Sequence, residues 1–246
     1  MELSFLKNIP VAHRGLHNET LPENGMGAFR AAMREGYTIE TDVRLSKDGE
    51  IMIFHDDHLF RMTGANLAVA DCTAEELSRL KLGESNERIP LFSEFLSTVD
   101  GQVPLLIEIK NMPSANTKTF IAKIADALKN YGGLYAVQSF SPFYVKEFKA
   151  LRPDIPCGIL ATASSCKADF GGSAFWRIKA RAVKNMSFNK RIKPDFISYH
   201  FKDYPQKATE NFQGLKLAWT IRSPEDEAYA RKYADNIIFE NYVPEK

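Results

Sequence analysis

Charged and histidine residues close four short apolar runs of this 246-residue chain, at positions where a buried strand would ordinarily carry Val or Ile. His13 and Arg14 follow Ile9-Pro10-Val11-Ala12. Glu40 and Asp42 flank Thr41 in Ile39-Glu40-Thr41-Asp42-Val43, His55 follows Ile51-Met52-Ile53-Phe54, and Glu108 and Lys110 bracket Ile109 after Leu105-Leu106-Ile107. Side chains alternate faces along a strand, so Glu40 shares a face with Asp42, and Glu108 with Lys110. Three carboxylates from two strand ends would repel in a common cleft and raise one another's pKa values unless a cation lay between them. An all-oxygen set suits Mg²⁺ or Ca²⁺, which leave places for water and a substrate phosphate. Beside it, His13 and His55 can serve as general acid and base near neutral pH. Arg14 and Lys110 can balance phosphate charge, the guanidinium as a fork and the ammonium as a point charge.

Strands must hold these residues, and nine apolar runs qualify: Ile9–Ala12, Ile39–Val43, Ile51–Phe54, Val103–Ile109, Leu134–Gln138, Cys157–Leu160, Asp195–Tyr199, Lys216–Ile221 and Asn236–Phe239. Helical patterns lie between most of them, notably Asn24–Glu35 ending at Gly36, Thr117–Asn130, and Ser223–Tyr233 with its Ser-Pro start and three following acids. Alternating strands and helices over a length near the roughly 250 residues of a TIM barrel predict a (β/α)8 barrel in one domain, residues 1–246. The ninth run has a local explanation. Residues 44–50 are too few for a parallel crossover and contain Asp48-Gly49, a two-residue hairpin signal. Pairing Lys47 with Glu50 makes Ile51–Phe54 an antiparallel return strand, sets Asp42 opposite His55, and puts Val43, Leu45, Met52 and Phe54 together on the other face. The long stretch within about 56–102 predicts a small insertion over the barrel mouth, with a capped helix start at Asp71–Leu77.

Composition narrows the partners. Lys and Arg total 32 against 31 Asp and Glu, so no overall field favours nucleic acid or an anionic membrane, which still leaves room for a local basic site. No run approaches the 18 or so apolar residues of a membrane span, and Met1–Asn8 lacks the pattern of a signal peptide. Cys72, Cys157 and Cys166 are odd in number and without metal-type spacing, which fits reduced thiols in a cytoplasmic protein.

The ordered set Ala12-His13-Arg14-Gly15, Pro22-Glu23-Asn24, Ile39–Val43, Lys47-Asp48-Gly49, His55-Asp56, Ile89-Pro90-Leu91, Ile107–Lys110, Val137–Ser141 and Ala218-Trp219-Thr220 resembles the glycerophosphodiester phosphodiesterases, which belong with the phospholipase C-like barrels. The resemblance implies metal-dependent hydrolysis of a small-molecule glycerophosphodiester to glycerol 3-phosphate and an alcohol. It implies that Glu40, Asp42 and Glu108 bind the metal and that His13 and His55 transfer protons. It places Arg14 and Lys110 on phosphate, Phe140 and Trp219 beside the glycerol group, and Glu23 as a supporting carboxylate of the substrate site; Asn24 reads equally as the cap of the first helix. Related lipid or sugar phosphodiesterases, including sphingomyelinase D-like transfer, and a non-catalytic phosphodiester-binding barrel are the alternatives. The chain departs from the family pattern at Gly25, where Thr is frequent, and at Phe239-Glu240-Asn241, where a Thr-Asp pair is frequent. In Ile221-Arg222-Ser223 it replaces a frequent Asn, setting a cation near the presumed pocket where it would recognise a second anionic group on the substrate.

Overall fold

Nine strands account for the nine apolar runs: β1 Val11–Ala12, β2 Thr38–Leu45, β3 Ile51–Ile53, β4 Leu105–Ile109, β5 Tyr135–Ser139, β6 Cys157–Ala161, β7 Phe196–His200, β8 Leu215–Ile221 and β9 Asn236–Phe239. They belong to a computed structural model that describes residues 2–112, 117–164 and 174–245, so Cys166 lies outside the described residues. Eight strands pair in parallel in the order β1-β9-β8-β7-β6-β5-β4-β2, and pairing of β1 with β2 closes the ring. Helices fill the connections, among them Met26–Glu35, Phe92–Val99, Thr117–Ala127, Pro142–Leu151, Trp176–Lys184 and Pro224–Ala230. The result is the expected (β/α)8 barrel. Among the described residues no helix is long and apolar enough to cross a membrane.

The return strand β3 is antiparallel as expected, but its register differs by one residue. Val43 pairs with Ile53, Arg44 with Met52 and Leu45 with Ile51, so Asp42 faces Phe54 and donates no place to His55. The loop has three residues rather than two: Ser46 pairs with Glu50, its Oγ accepts from the Glu50 N–H, and Gly49 takes the left-handed φ of 86° that such a loop needs. The slip also sorts the side chains differently. Val43, Leu45 and Ile53 join the main outer core, whereas Met52 and Phe54 pack with Leu59, Val69, Leu77 and Ile89 of the following excursion. β3 takes over the β2 edge that β1 occupies only at Thr38 and Ile39.

Period-two alternation explains the interior. Val11, Leu106, Ala136, Phe196, Leu217 and Ile238 form an apolar plug closed below by Phe5 and Leu6 of the helix Ser4–Asn8. Two residues further along the same strands come His13, Glu108, Gln138, Ser198, Trp219 and Glu240, so the polar positions stack in the layer above. The outward positions, such as Ile39, Ile107, Val137, Ile159 and Ile197, pack under the helices.

The excursion ends before Phe92–Val99, which belongs to the outer helical layer through Phe92, Phe95 and Val99. Its own small core includes the short helix Ala74–Leu77, capped by Thr73 in a capping box with Glu76. It also supplies Glu87, whose carboxylate accepts from the Gly27 N–H at 2.9 Å and so caps the helix Met26–Glu35, which has Gly25 at its N-cap and no side chain of its own to do so. A Cβ on Gly158 would overlap the Phe196 ring in the barrel plug. Gly158→Val therefore overpacks a site with no slack and should lower stability by about 1–3 kcal/mol, read as a fall in denaturant midpoint at unchanged slope.

Candidate active site

The C-terminal ends of the barrel strands surround a cleft of about 180 Å³, lined by His13, Arg14, Glu40, His55, Glu108, Lys110, Gln138, Phe140, Trp219, Thr220 and Arg222 among others. That volume lies below the range of about 300–1,000 Å³ for drug-sized ligands and suits a compact polar molecule. Nine of the eleven residues singled out in the sequence line this cleft, and a tenth, Asp42, lies against its Arg14 and Lys110. Glu23 does not line it, and instead accepts from Arg14 at 2.7 Å and from Arg61 at 2.6 Å.

Glu40, Asp42 and Glu108 are buried to 1, 0 and 6% exposure, and each offers an oxygen within 4.8 Å of the others. β2 and β4 run in register with Asp42 opposite Glu108, which brings the carboxylates together without any loop. Burial and the neighbouring charges of Asp42 and Glu108 push the Glu40 carboxyl well above its ordinary range. Asp42 goes the other way: burial pushes it up, but Lys110, His55 and Arg14 outweigh that and hold it far below the usual carboxylate range. Lys110 Nζ lies 2.7 Å from Glu108 and 3.4 Å from Asp42, and Arg14 Nε lies 3.4 Å from Asp42. Asp42 Oδ1 has no hydrogen-bond donor despite complete burial. A buried carboxylate oxygen with no hydrogen-bond donor, only the Lys110 ammonium at 3.4 Å, beside two further carboxylates fits a hard divalent cation.

Tight turns aim the cations. Arg14 and Gly15 both adopt left-handed backbone, with φ of 55° and 80°, and the Arg14 N–H donates to Glu40 at 3.0 Å. Asn24, also left-handed at φ 57°, is not the helix cap, which is Gly25. Its Nδ2 donates to Asp42 at 2.9 Å and its Oδ1 accepts from Thr41 Oγ1 at 2.9 Å, so it belongs to the buried polar cluster.

Each cleft histidine has its own carboxylate. His55 Nδ1 meets Asp56 at 2.6 Å, and two nitrogens of Arg44 donate to the His55 carbonyl at 2.9 and 2.6 Å, fixing the backbone that follows β3. His13 Nδ1 is hydrogen-bonded to Glu240, which also lies 3.6 Å from His17 Nε2 and accepts from Arg222 at 2.7 Å. Sequence reasoning registered Glu240 only as a departure from a family pattern. Its position just past β9, two residues after the interior Ile238, is the signal that would have placed it on the cleft side. Gln138, whose Oε1 accepts from Ser198 Oγ at 2.7 Å, closes the run Leu134–Gln138 and was not singled out, although it stands two residues after the interior Ala136. Phe140 and Trp219 meet edge to face at 5.6 Å, and the Trp219 indole donates to the Ser198 carbonyl at 3.0 Å.

Burial lowers the proton affinity of His13, and the Glu240 contact partly restores it. Glu240→Gln removes the anion, so the His13 titration should move further below the ordinary histidine range. Ring-resonance NMR against pH checks this, and a midpoint that stays or rises would contradict it.

The model of the glycerophosphoryl diester phosphodiesterase family matches residues 13–243. A glycerophosphodiester phosphodiesterase of Caldanaerobacter subterraneus is 32% identical in an alignment covering 95% of this chain and 94% of that protein. Bacillus subtilis YhdW is 33% identical over a shorter stretch, 61% of this chain and 64% of that protein's length. Among solved structures, an Oleispira antarctica phosphodiesterase, determined with its product sn-glycerol-3-phosphate, superposes with a TM-score of 0.79 over 97% of this chain and 95% of that one, at 23% identity, a likeness of fold. The chain is an enzyme of the glycerophosphoryl diester phosphodiesterase family.

Proposed function

We propose that this chain hydrolyses glycerophosphodiesters to glycerol 3-phosphate and an alcohol, with Glu40, Asp42 and Glu108 holding a divalent metal and His13 and His55 moving the protons. The observation that carries this reading is the meeting, in one cleft, of two carboxylate-backed histidines with three buried carboxylates. The product named with the Oleispira antarctica structure supports glycerol 3-phosphate as the product here. The metal would be Mg²⁺ or Ca²⁺, and when bound it supplies charge neutralisation for the phosphate oxygens.

The chain's own residues do the rest. Arg14, held by Glu23 and Asp42, presents a fixed cation at the cleft for a non-bridging phosphate oxygen, and Lys110 presents another. One imidazole takes the proton of the nucleophile as it bonds to phosphorus: water gives glycerol 3-phosphate directly, whereas the neighbouring glycerol hydroxyl gives a cyclic phosphate that a water then opens. The other protonates the departing alcohol oxygen as its bond to phosphorus breaks. Asp56 and Glu240 each fix one ring nitrogen, which leaves the other free for the reacting group. Phe140 and Trp219 wall the side of the cleft assigned to the glycerol carbons. Arg222 reaches the same cleft, and an anionic head group would compete with Glu240 for it. We place the activity in one domain spanning the chain and in the cytoplasm, in keeping with the buried free thiols of Cys72 and Cys157.

Exhaustive treatment with EDTA should abolish turnover while the circular dichroism spectrum stays in place, and Mg²⁺ or Ca²⁺ should restore it. Retention of full activity would remove the metal from the reading. Replacing either His13 or His55 by Ala should reduce turnover ~10²- to 10⁴-fold with a much smaller change in KM. His58, exposed and outside the cleft, is the control, whereas His17 is not an inert one because it approaches Glu240. Phosphorus NMR of the products separates glycerol 3-phosphate from a cyclic phosphate, and accumulation of the latter would move the assignment to a cyclising transferase.

A further inference from the structure

A net charge of +1 conceals an uneven distribution. Residues 170–194 contain seven Lys or Arg and no Asp or Glu. Its described part, from residue 174 on, follows in the chain after β6, whose C-terminal end lies on the rim where the cleft opens, and includes the helix Trp176–Lys184. Arg177, Arg181 and Lys184 recur at helical spacing and are all exposed. Beside them stand the two most exposed large apolar side chains of the described residues, Phe175 at 68% and Ile178 at 69%. One turn on from Ile178, Ala182 begins an apolar groove continued by Val183, Met186 and Phe188. Phe140 and Leu160 line both that groove and the catalytic cleft, so the two share a wall.

A helix that merely faces water would carry charges of both signs and no large apolar side chains exposed to two thirds, as Phe175 and Ile178 are. A surface for single-stranded RNA would use the cations and stack a base on Phe175, but would gain little from an exposed Ile178. Cations alternating with exposed apolar residues match an anionic lipid bilayer, which offers phosphate outside and hydrocarbon just beneath. We infer that residues 175–191 dock the mouth of the barrel onto an anionic membrane surface, with Phe175 and Ile178 entering the headgroup layer. Such docking would turn the cleft toward phosphodiesters borne by, or released at, that surface. Docking is read without turnover, so its outcome is independent of the reaction assigned above.

Co-sedimentation of the full chain with vesicles tests it. Wild type should bind phosphatidylcholine vesicles containing about a third phosphatidylglycerol, bind pure phosphatidylcholine weakly, and dissociate as salt rises. Neutralising three cations in R177Q/R181Q/K184Q should weaken binding about a hundredfold, at roughly fivefold per charge. F175S/I178S should weaken it about tenfold or more while the charge stays in place. All variants should hydrolyse soluble glycerophosphocholine at the wild-type rate, since none of these residues lines the cleft. Failure to bind anionic vesicles at low salt overturns the inference. So does wild-type binding by F175S/I178S, which would reduce the effect to charge alone, and so does complete displacement of vesicles by a single-stranded RNA oligonucleotide.

Discussion

Three ionisable carboxylates are buried at the mouth of this barrel, and much of the surrounding structure is arranged to make that tolerable. A buried charge without partners is ruinous to a fold, so each carboxylate recruits a cation or donor, and each recruit needs its own partner. Asp42 draws in Arg14, Lys110 and Asn24. Arg14 is held in turn by Glu23, Glu23 by Arg61, Arg61 by Asp56, and Asp56 by His55. Charges alternate along this path until it returns to the cleft at a histidine. Next to it, where β1 meets β9, a second, shorter set gathers His13, His17 and Arg222 around Glu240.

The barrel makes such a cluster possible through its layering. Below the charged level the strands point Val11, Leu106, Ala136, Phe196, Leu217 and Ile238 inward, a closed plug that keeps water out from beneath. Above it the cleft is open, so Lys110 and His55 retain access to solvent while Glu40 and Asp42 do not. The same side-chain alternation thus sets the stability of one layer and the chemistry of the next.

Much of this was legible in the sequence because strands announce both their hydrophobicity and their face. The eight parallel strands follow from apolar runs alternating with helical patterns, the antiparallel return from the short link holding Asp48-Gly49, and the shared face of Glu40 and Asp42 from period two. The hairpin register was not, since Ser46 supplies a hydroxyl that closes a three-residue loop around Gly49, and a turn dipeptide does not reveal which residues flank it. The role of Asn24 was hidden by its resemblance to a helix cap, because a side chain that could satisfy a helix N-terminus can equally satisfy a distant carboxylate. Glu240 and Glu87 act across 227 and 60 positions of sequence, on His13 and Gly27, and no local pattern carries information over that distance.

The excursion between β3 and the helix Phe92–Val99 has so far been a piece of architecture. Through Arg61 it grips both Glu23, behind Arg14, and Asp56, behind His55, and through Glu87 it closes the end of the first barrel helix. It is therefore less a decoration on the barrel than a clasp joining two of its corners. A lineage that trimmed or exchanged this segment would disturb Arg14 and His55 in one stroke, whereas drift in the loop between those two anchor points is left free. Inheritance of the site and inheritance of the excursion are in this sense a single event.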